Sequence, residues 1–153
     1  MSLWLLETNS YVRWLLIDFS KAFDVVDRGI LAAKLTGLDM PPAISFWIVS
    51  FLTGRTQQVK HGFQLSSPKP INRDIAQGSG LGPTLYIIME SDFKALSNSN
   101  LLFKYANDTT LLVPEITDVD INDKFSNVLK WATDNRMIVN LRKTKKLFYD
   151  VFW

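Results

Sequence analysis

The clearest pattern along the chain is a continuous apolar run, Trp14 to Phe19, that ends in polar residues, as expected of a central strand covered on both faces. Leu31, Leu35 and Leu38 then recur at helical spacing, and Gly37 is placed to end that helix. Pro41-Pro42 opens a second helix, in which Ile44, Trp47, Ile48, Phe51 and Leu52 form one apolar stripe closed by Gly54. From Arg55 to Ile75 the pattern turns irregular and strand-like, punctuated by Gly62, Pro68 and Pro70, which predicts a hairpin leading into a glycine-rich loop. Pro83 starts a helix running to about Leu96.

Leu101 to Tyr105 and Thr109 to Val113 are two apolar runs around Ala106-Asn107-Asp108, whose Asn and Asp suit a tight hairpin turn. Thr117-Asp118-Val119-Asp120 reads as a capping box, after which Ile121, Phe125, Val128, Leu129 and Ala132 keep a 3.6-residue period. Strands near Met137 to Asn140 and Leu147 to Val151 complete the set. The sum predicts an α+β architecture, an antiparallel sheet with helices packed on one face.

Composition changes this picture little. A chain of 153 residues, 47% hydrophobic and 21% charged, has the size and balance of one folded unit able to bury a core. The net charge of +2 makes any nucleic-acid footprint a local matter, and Arg142, Lys143, Lys145 and Lys146 supply one basic cluster. With no Cys there is neither a disulfide framework nor a thiolate zinc site, and a single histidine, His61, excludes His-based triads. His61 is expected on an exposed loop. The N-terminus lacks the pattern of a secretory signal, and the longest other apolar stretch, Ile44 to Leu52, falls short of the ~20 residues that span a bilayer. An intracellular chain, nuclear or cytoplasmic and not secreted, is the expectation.

The candidate chemistry lies where apolar runs end on carboxylates. Asp18 closes the first run within Asp18-Phe19-Ser20-Lys21-Ala22-Phe23-Asp24, and Asn107-Asp108 follows Leu101 to Tyr105. Between them lies Gln77-Gly78-Ser79-Gly80-Leu81-Gly82-Pro83. Carboxylates at strand ends are natural Mg²⁺ ligands, because a hard cation takes oxygen donors and leaves positions for water and phosphate. A lone strand-end Asp is as readily a turn or helix cap, and a Phe at position 23 is ordinarily core.

These segments, in this order, resemble the palm domain of reverse transcriptases, most nearly those of non-LTR, LINE or jockey-like retrotransposons. Asp18 to Asp24 is similar to the family's first catalytic motif, and Gly54-Arg55-Thr56-Gln57-Gln58-Val59 to the run that follows two helices later. Gln77 to Pro83 is similar to the template and nucleotide loop, Tyr105-Ala106-Asn107-Asp108 to the Tyr-x-Asp-Asp signature, and Asn140-Leu141-Arg142-Lys143-Thr144 to the segment bearing a late lysine. The matches run from about residue 14 to 148, within one partial domain over 1–153.

The resemblance implies a palm-like sheet with fingers and thumb largely missing, and RNA-directed DNA polymerase chemistry in which two Mg²⁺ ions assist transfer of a nucleotide to a primer 3′-hydroxyl. It implies metal ligation by Asp18, the backbone carbonyl of Phe19 and Asp108, with Asn107 at a catalytic position and Lys143 as general acid toward pyrophosphate. Phe23 corresponds to the aromatic residue beneath the sugar that favours deoxynucleotides, and Phe19, Gln77, Gly78 and Tyr105 fall among nucleotide- and template-binding positions. Arg55 and Lys60 are candidates to touch the nucleic-acid backbone. The implied partners are an RNA template, a DNA primer and deoxynucleoside triphosphates.

Three departures stand against the family pattern. The first hairpin aspartate is Asn107 here, which keeps a carbonyl oxygen and loses a charge that offsets repulsion between two cations, so severely weakened metal binding is expected. Ala76 replaces a proline and Gly80 a larger apolar residue, which loosens the loop. These features, with few residues ahead of Asp18, predict an impaired copy of a retrotransposon enzyme, poorly soluble in isolation. A haloacid-dehalogenase-like phosphatase would need Asp where Ser20 stands, and an RNA-recognition module would need a Gly-Phe-Gly-Phe pattern that the strands lack. An inactive palm that retains nucleic-acid affinity is the closer alternative.

Overall fold

The structure, a computed structural model, describes residues 9–76 and 78–150, the last two by backbone alone. Its elements alternate as the hydrophobic pattern predicts: β1 (Tyr11–Asp18), α1 (Arg28–Thr36), α2 (Pro42–Leu52), β2 (Thr56–Gln57), β3 (Lys60–His61), β4 (Gln64–Leu65), β5 (Lys69–Pro70), α3 (Gly82–Met89), β6 (Leu101–Tyr105), β7 (Asp108–Pro114), α4 (Ile121–Asp134) and β8 (Lys145–Asp150). They fall into two compact units, one gathering Met1–Ala22 with Asp92–Trp153 and the other comprising Phe23–Ser91.

The first unit is built on a four-stranded antiparallel sheet in the order β6-β7-β1-β8. Because side chains alternate across a strand, Leu15, Ile17 and, just beyond β1, Phe19 share one face, while Trp14, Leu16 and Asp18 share the other. Helix α4 covers the Phe19 face. Phe19 meets the Trp131 ring edge-on at 5.7 Å, Phe93 stacks on Trp131 at 4.5 Å, and the indole N–H donates to Asp92 at 2.8 Å. Leu15, Ile17, Phe19, Leu111, Val113, Val128 and Ala132 are buried, and fully burying each large apolar side chain contributes roughly 1.5–3 kcal/mol.

Helix α4 starts at Asp120, whose carboxylate accepts from Asn122 N–H at 2.7 Å. The expected capping box does not form, because Asp120 and not Thr117 is the N-cap and the helix begins three residues later than that box requires. Asp118 takes the hydroxyls of Ser97 and Ser99 instead, which holds its carboxyl below the usual range, and Thr117 bonds to the buried Lys124 ammonium. The helix ends in a Schellman turn, with Met137 N–H on the Ala132 carbonyl at 2.7 Å and Arg136 at φ +56. That turn ties down the segment expected as a strand from Met137 to Asn140, which contributes only one bridge, Val139 to Phe19.

In the second unit α1 is capped by Asp27, which accepts from Gly29 and Ile30 N–H, and Gly37 does end it, in right-handed geometry. Arg28 is buried and organises the strand-poor stretch by donating to the carbonyls of Leu52, Ile71 and Asp74 and pairing with the Asp74 carboxylate. The expected hairpin region forms two minimal ladders, β2 with β5 and β3 with β4. His61 is exposed there, as anticipated.

Two expectations for the helices need correction. Of the α2 stripe only Ile48 and Leu52 are buried, whereas Ile44 and Trp47 are 50% and 57% exposed. The helix is apolar nearly all round, Phe46 and Val49 included, so periodicity could not select its inner face. Helix α3 stops at Met89 instead of reaching Leu96, because beyond it Asp92 and Phe93 are drawn to Trp131. Among the described residues, no helix is long and apolar enough to cross a membrane.

Candidate catalytic and metal site

The chemistry gathers at one end of the four-stranded sheet. Asp18 is the last residue of β1 and stands directly opposite Asp108, the first of β7, in the antiparallel register. Directly paired side chains lie on the same face with Cβ atoms ~4.5–5.5 Å apart, so both carboxylates open to one side. Tyr105 pairs with Asp108 from the opposite strand and is 85% exposed. The connecting turn is Ala106-Asn107, with Ala106 at φ +50, a left-handed conformation that costs an alanine about 1–2 kcal/mol.

A cavity of about 630 Å³ is lined by Asp18 and Asp108 together with Arg142, Lys143 and Lys145. The late lysine is therefore brought to the carboxylates, on the turn that joins the Asn140 region to β8. Three cations facing two carboxylates leave this cavity with an excess of positive charge, suited to an anionic ligand such as a triphosphate. Lys143 is exposed and free to reach into it.

The donor set fits one hard divalent cation and not two. Asp18 and Asp108 can share an ion that fills its other positions with water or phosphate oxygens. Among the described residues no group of three or more His, Cys, Asp or Glu side chains could hold a metal ion. Asn107 does not make up the deficit, since its amide nitrogen lies 3.5 Å from Asp108 Oδ1 and faces that carboxylate as a donor. Phe19 has its side chain in the core, which leaves only its backbone carbonyl to serve a cation.

Asp18 is also the best supported residue of the site. Its carbonyl accepts Asn140 N–H at 2.8 Å, its amide donates to Thr144 Oγ1 at 3.4 Å, and its Oδ2 accepts from Asn140 Nδ2 at 2.9 Å. Neither Asn140 nor Thr144 was singled out by type. Their signal was their place in the run Asn140 to Thr144, read for its lysine alone.

The remaining candidates belong to the second unit. Phe23 is half-buried and stacks on Tyr86 of α3 with ring centroids 4.7 Å apart, so α3 fixes its ring plane. Gly78 has φ +79, which a side chain would strain, and Ser79 forms the turn that delivers the chain to α3. Gln77 lies outside the described residues. Arg55 sits over the Phe51 ring at 4.9 Å and Lys60 is exposed on β3.

A carboxylate pair at the tip of an antiparallel sheet, with a lysine turn beside it, is the arrangement that the resemblance to a polymerase palm leads one to expect. The profile of the family described as reverse transcriptase (RNA-dependent DNA polymerase) matches residues 4–150, and the chain belongs to that family. It is 30% identical over 149 residues to the RNA-directed DNA polymerase from mobile element jockey of Drosophila melanogaster, and 31% identical over 152 residues to that of Drosophila funebris. Each alignment covers 90% of this chain and 16% of the relative, so the chain spans about a sixth of the length of the curated relatives it matches. The kinship with non-LTR, jockey-like elements read from the motifs is thereby established.

The fold has the same affinity. Telomerase from Candida tropicalis, solved in complex with a fragment of telomeric RNA, superposes with TM-score 0.68 at 16% identity over 94% of this chain and 27% of that one. Telomerase from Candida albicans gives 0.61 at 18% identity over 89% of this chain and 27% of that one. At such identities the likeness speaks for the fold, an α+β palm.

Proposed function

We propose that this chain is the palm portion, within one partial domain over residues 1–153, of an RNA-directed DNA polymerase that extends a DNA primer on an RNA template, with catalysis impaired by Asn107. The observation that carries the reading is the register of Asp18 against Asp108 beside Lys143. Mg²⁺ held by this pair would supply charge stabilisation for the attacking 3′-hydroxyl and the triphosphate. Asp18 and Asp108 bind the cation, and the Phe19 carbonyl adds an oxygen.

Lys143 offers a proton to the leaving pyrophosphate, a role that needs reach and exposure, both of which it has. Arg142 and Lys145 meet the remaining phosphate charge. Phe23, its ring set by Tyr86, selects a deoxyribose, and Gln77, Gly78 and Tyr105 contact nucleotide and template. Activity in an intracellular, nuclear or cytoplasmic compartment follows from such a substrate set.

Asn107 and the excess of cations over carboxylates favour a second outcome for the same site, binding of nucleic acid with little turnover. Primer extension on an RNA template separates them, with the chain as written and Asn107→Asp assayed side by side in Mg²⁺. The expected result is trace extension by the first and recovery in the second. Equal extension by both would remove Asn107 as the cause of impairment, and binding without extension in either would leave the nucleic-acid-binding reading.

A further inference from the structure

Asp18 is gripped by a single short turn through three separate atoms. The Asn140 N–H takes its carbonyl oxygen, Thr144 Oγ1 takes its N–H, and Asn140 Nδ2 donates to its Oδ2. The turn is itself closed, because the Asn140 carbonyl accepts from the N–H groups of Lys143 at 3.1 Å and Thr144 at 2.9 Å. The first two contacts hold the strand end and would do so around any residue. The third is different, because it reaches the reacting group.

An ionised carboxylate only accepts hydrogen bonds, so the asparagine amide must present its nitrogen to Asp18. A neutral donor there fixes the carboxylate rotamer and occupies one lone pair of Oδ2, leaving Oδ1 to serve a cation in the cavity that Asp18 lines. Lysine or arginine in the same place would cancel the charge that a cation needs, and a carboxylate would repel it. From these contacts we infer that Asn140 is a positioning residue for Asp18, aiming its free oxygen at the cation, and that it acts on metal affinity and not on the fold. This rests on the proposed reading of Asp18 as a metal ligand. Loss of partners that orient a ligand lowers metal affinity by ~10–100-fold in general, and the lower end suits so open a cavity.

The role matters more in this chain than in one with a full carboxylate set. With Asn107 contributing no charge, half of the surviving pair, Asp108, stands exposed beside the hairpin turn, and Asp18 is the half that can be held rigid. A site with two carboxylates has no third to restore the charge and geometry if one of them rotates.

The test is a titration of the full 153-residue chain with Mn²⁺, read by paramagnetic broadening of assigned amide signals, for the chain as written, Asn140→Leu, Asn140→Ala and Thr144→Val. The same set is repeated on the Asn107→Asp background, and unfolding in urea is recorded for each. Both Asn140 variants are expected to lose about tenfold in Mn²⁺ affinity at Asp18 while their amide spectra stay native. Thr144→Val is expected to lose stability and keep its affinity, since it touches only the backbone of Asp18. Native-like Asn140 variants with unchanged affinity would overturn the inference and leave the reading of Asp18 as a ligand intact. Broadening that bypasses Asp18 in both backgrounds would overturn that reading, and the inference with it.

Discussion

Asp18 and Asp108 face each other across one strand pair yet stand on very different ground. Asp18 closes a strand that lies inside the sheet, is followed by the buried Phe19, and is bonded through backbone and side chain to the Asn140 turn. Asp108 opens the strand that leaves an exposed hairpin tip, between Asn107 and a buried threonine, with Tyr105 projecting beside it. The contrast teaches that substitutions at the hairpin tip and at the strand end should bear unequally on the fold. Residues at the tip bear little of the packing, so either Asn or Asp can stand at position 107 at almost no cost in stability, although the two differ by a unit of charge beside Asp108.

The sharpest way to break the comparison is to truncate an aromatic on each side. Phe19→Ala removes the ring that meets both Phe93 and Trp131 and should cost about 3–5 kcal/mol in urea unfolding, against less than about 0.5 kcal/mol for Tyr105→Ala. Equal losses would mean that the tip is as structural as the strand end. Next in size is Asn107→Asp, which adds a unit charge where a cation would bind. Charges ~4 Å apart at an effective dielectric of ~20 interact by about 4 kcal/mol, so calorimetric Mg²⁺ affinity should rise by about 10²-fold after the cost of crowding carboxylates.

Lys124 sharpens the contrast away from the site. It is a buried residue of α4, donating to Asn100 Oδ1 at 2.9 Å and to Thr117, and burial pushes its ammonium below the usual lysine range, with Asp118 opposing. The unfolded chain therefore holds this proton up to about the ordinary lysine value of 10.5 while the folded chain releases it earlier. Stability attributable to Lys124 rises with pH through that window and is complete above 10.5, and it is lost as pH falls through the lowered folded value. Unfolding followed between pH 8 and 11 should show this slope and Lys124→Met should flatten it. The smallest effects concern backbone strain. Ala106→Gly at φ +50 and Arg136→Gly at φ +56 should each stabilise by about 1 kcal/mol, the first without moving metal affinity by more than the turn's own loosening.

What could be read from residues alone divides along the same line. Strand β1, the β6–β7 hairpin, helix α4 and the carboxylate at each strand end follow from apolar periodicity and turn chemistry, because there local preference and tertiary demand agree. The burial of α2 was not legible, since a helix apolar on all sides offers no period to choose among its faces. Nor was the early end of α3, which is set by a tryptophan some forty residues along the chain. The site was legible through the resemblance, which supplied Asp18, Asp108 and Lys143. The grip of Asn140 on Asp18 was not, because a contact across 122 residues leaves no spacing to count.

The central claim is that Asp18 and Asp108 form a one-cation remnant of a two-cation site, with Asn107 as the lesion. It is tested most directly by anomalous diffraction from Mn²⁺-soaked crystals of the chain as written and of Asn107→Asp. The account predicts one peak between Asp18 and Asp108 in the first and two peaks ~3.5–4 Å apart in the second. Two peaks in both crystals, or none beside Asp18 in either, would contradict it.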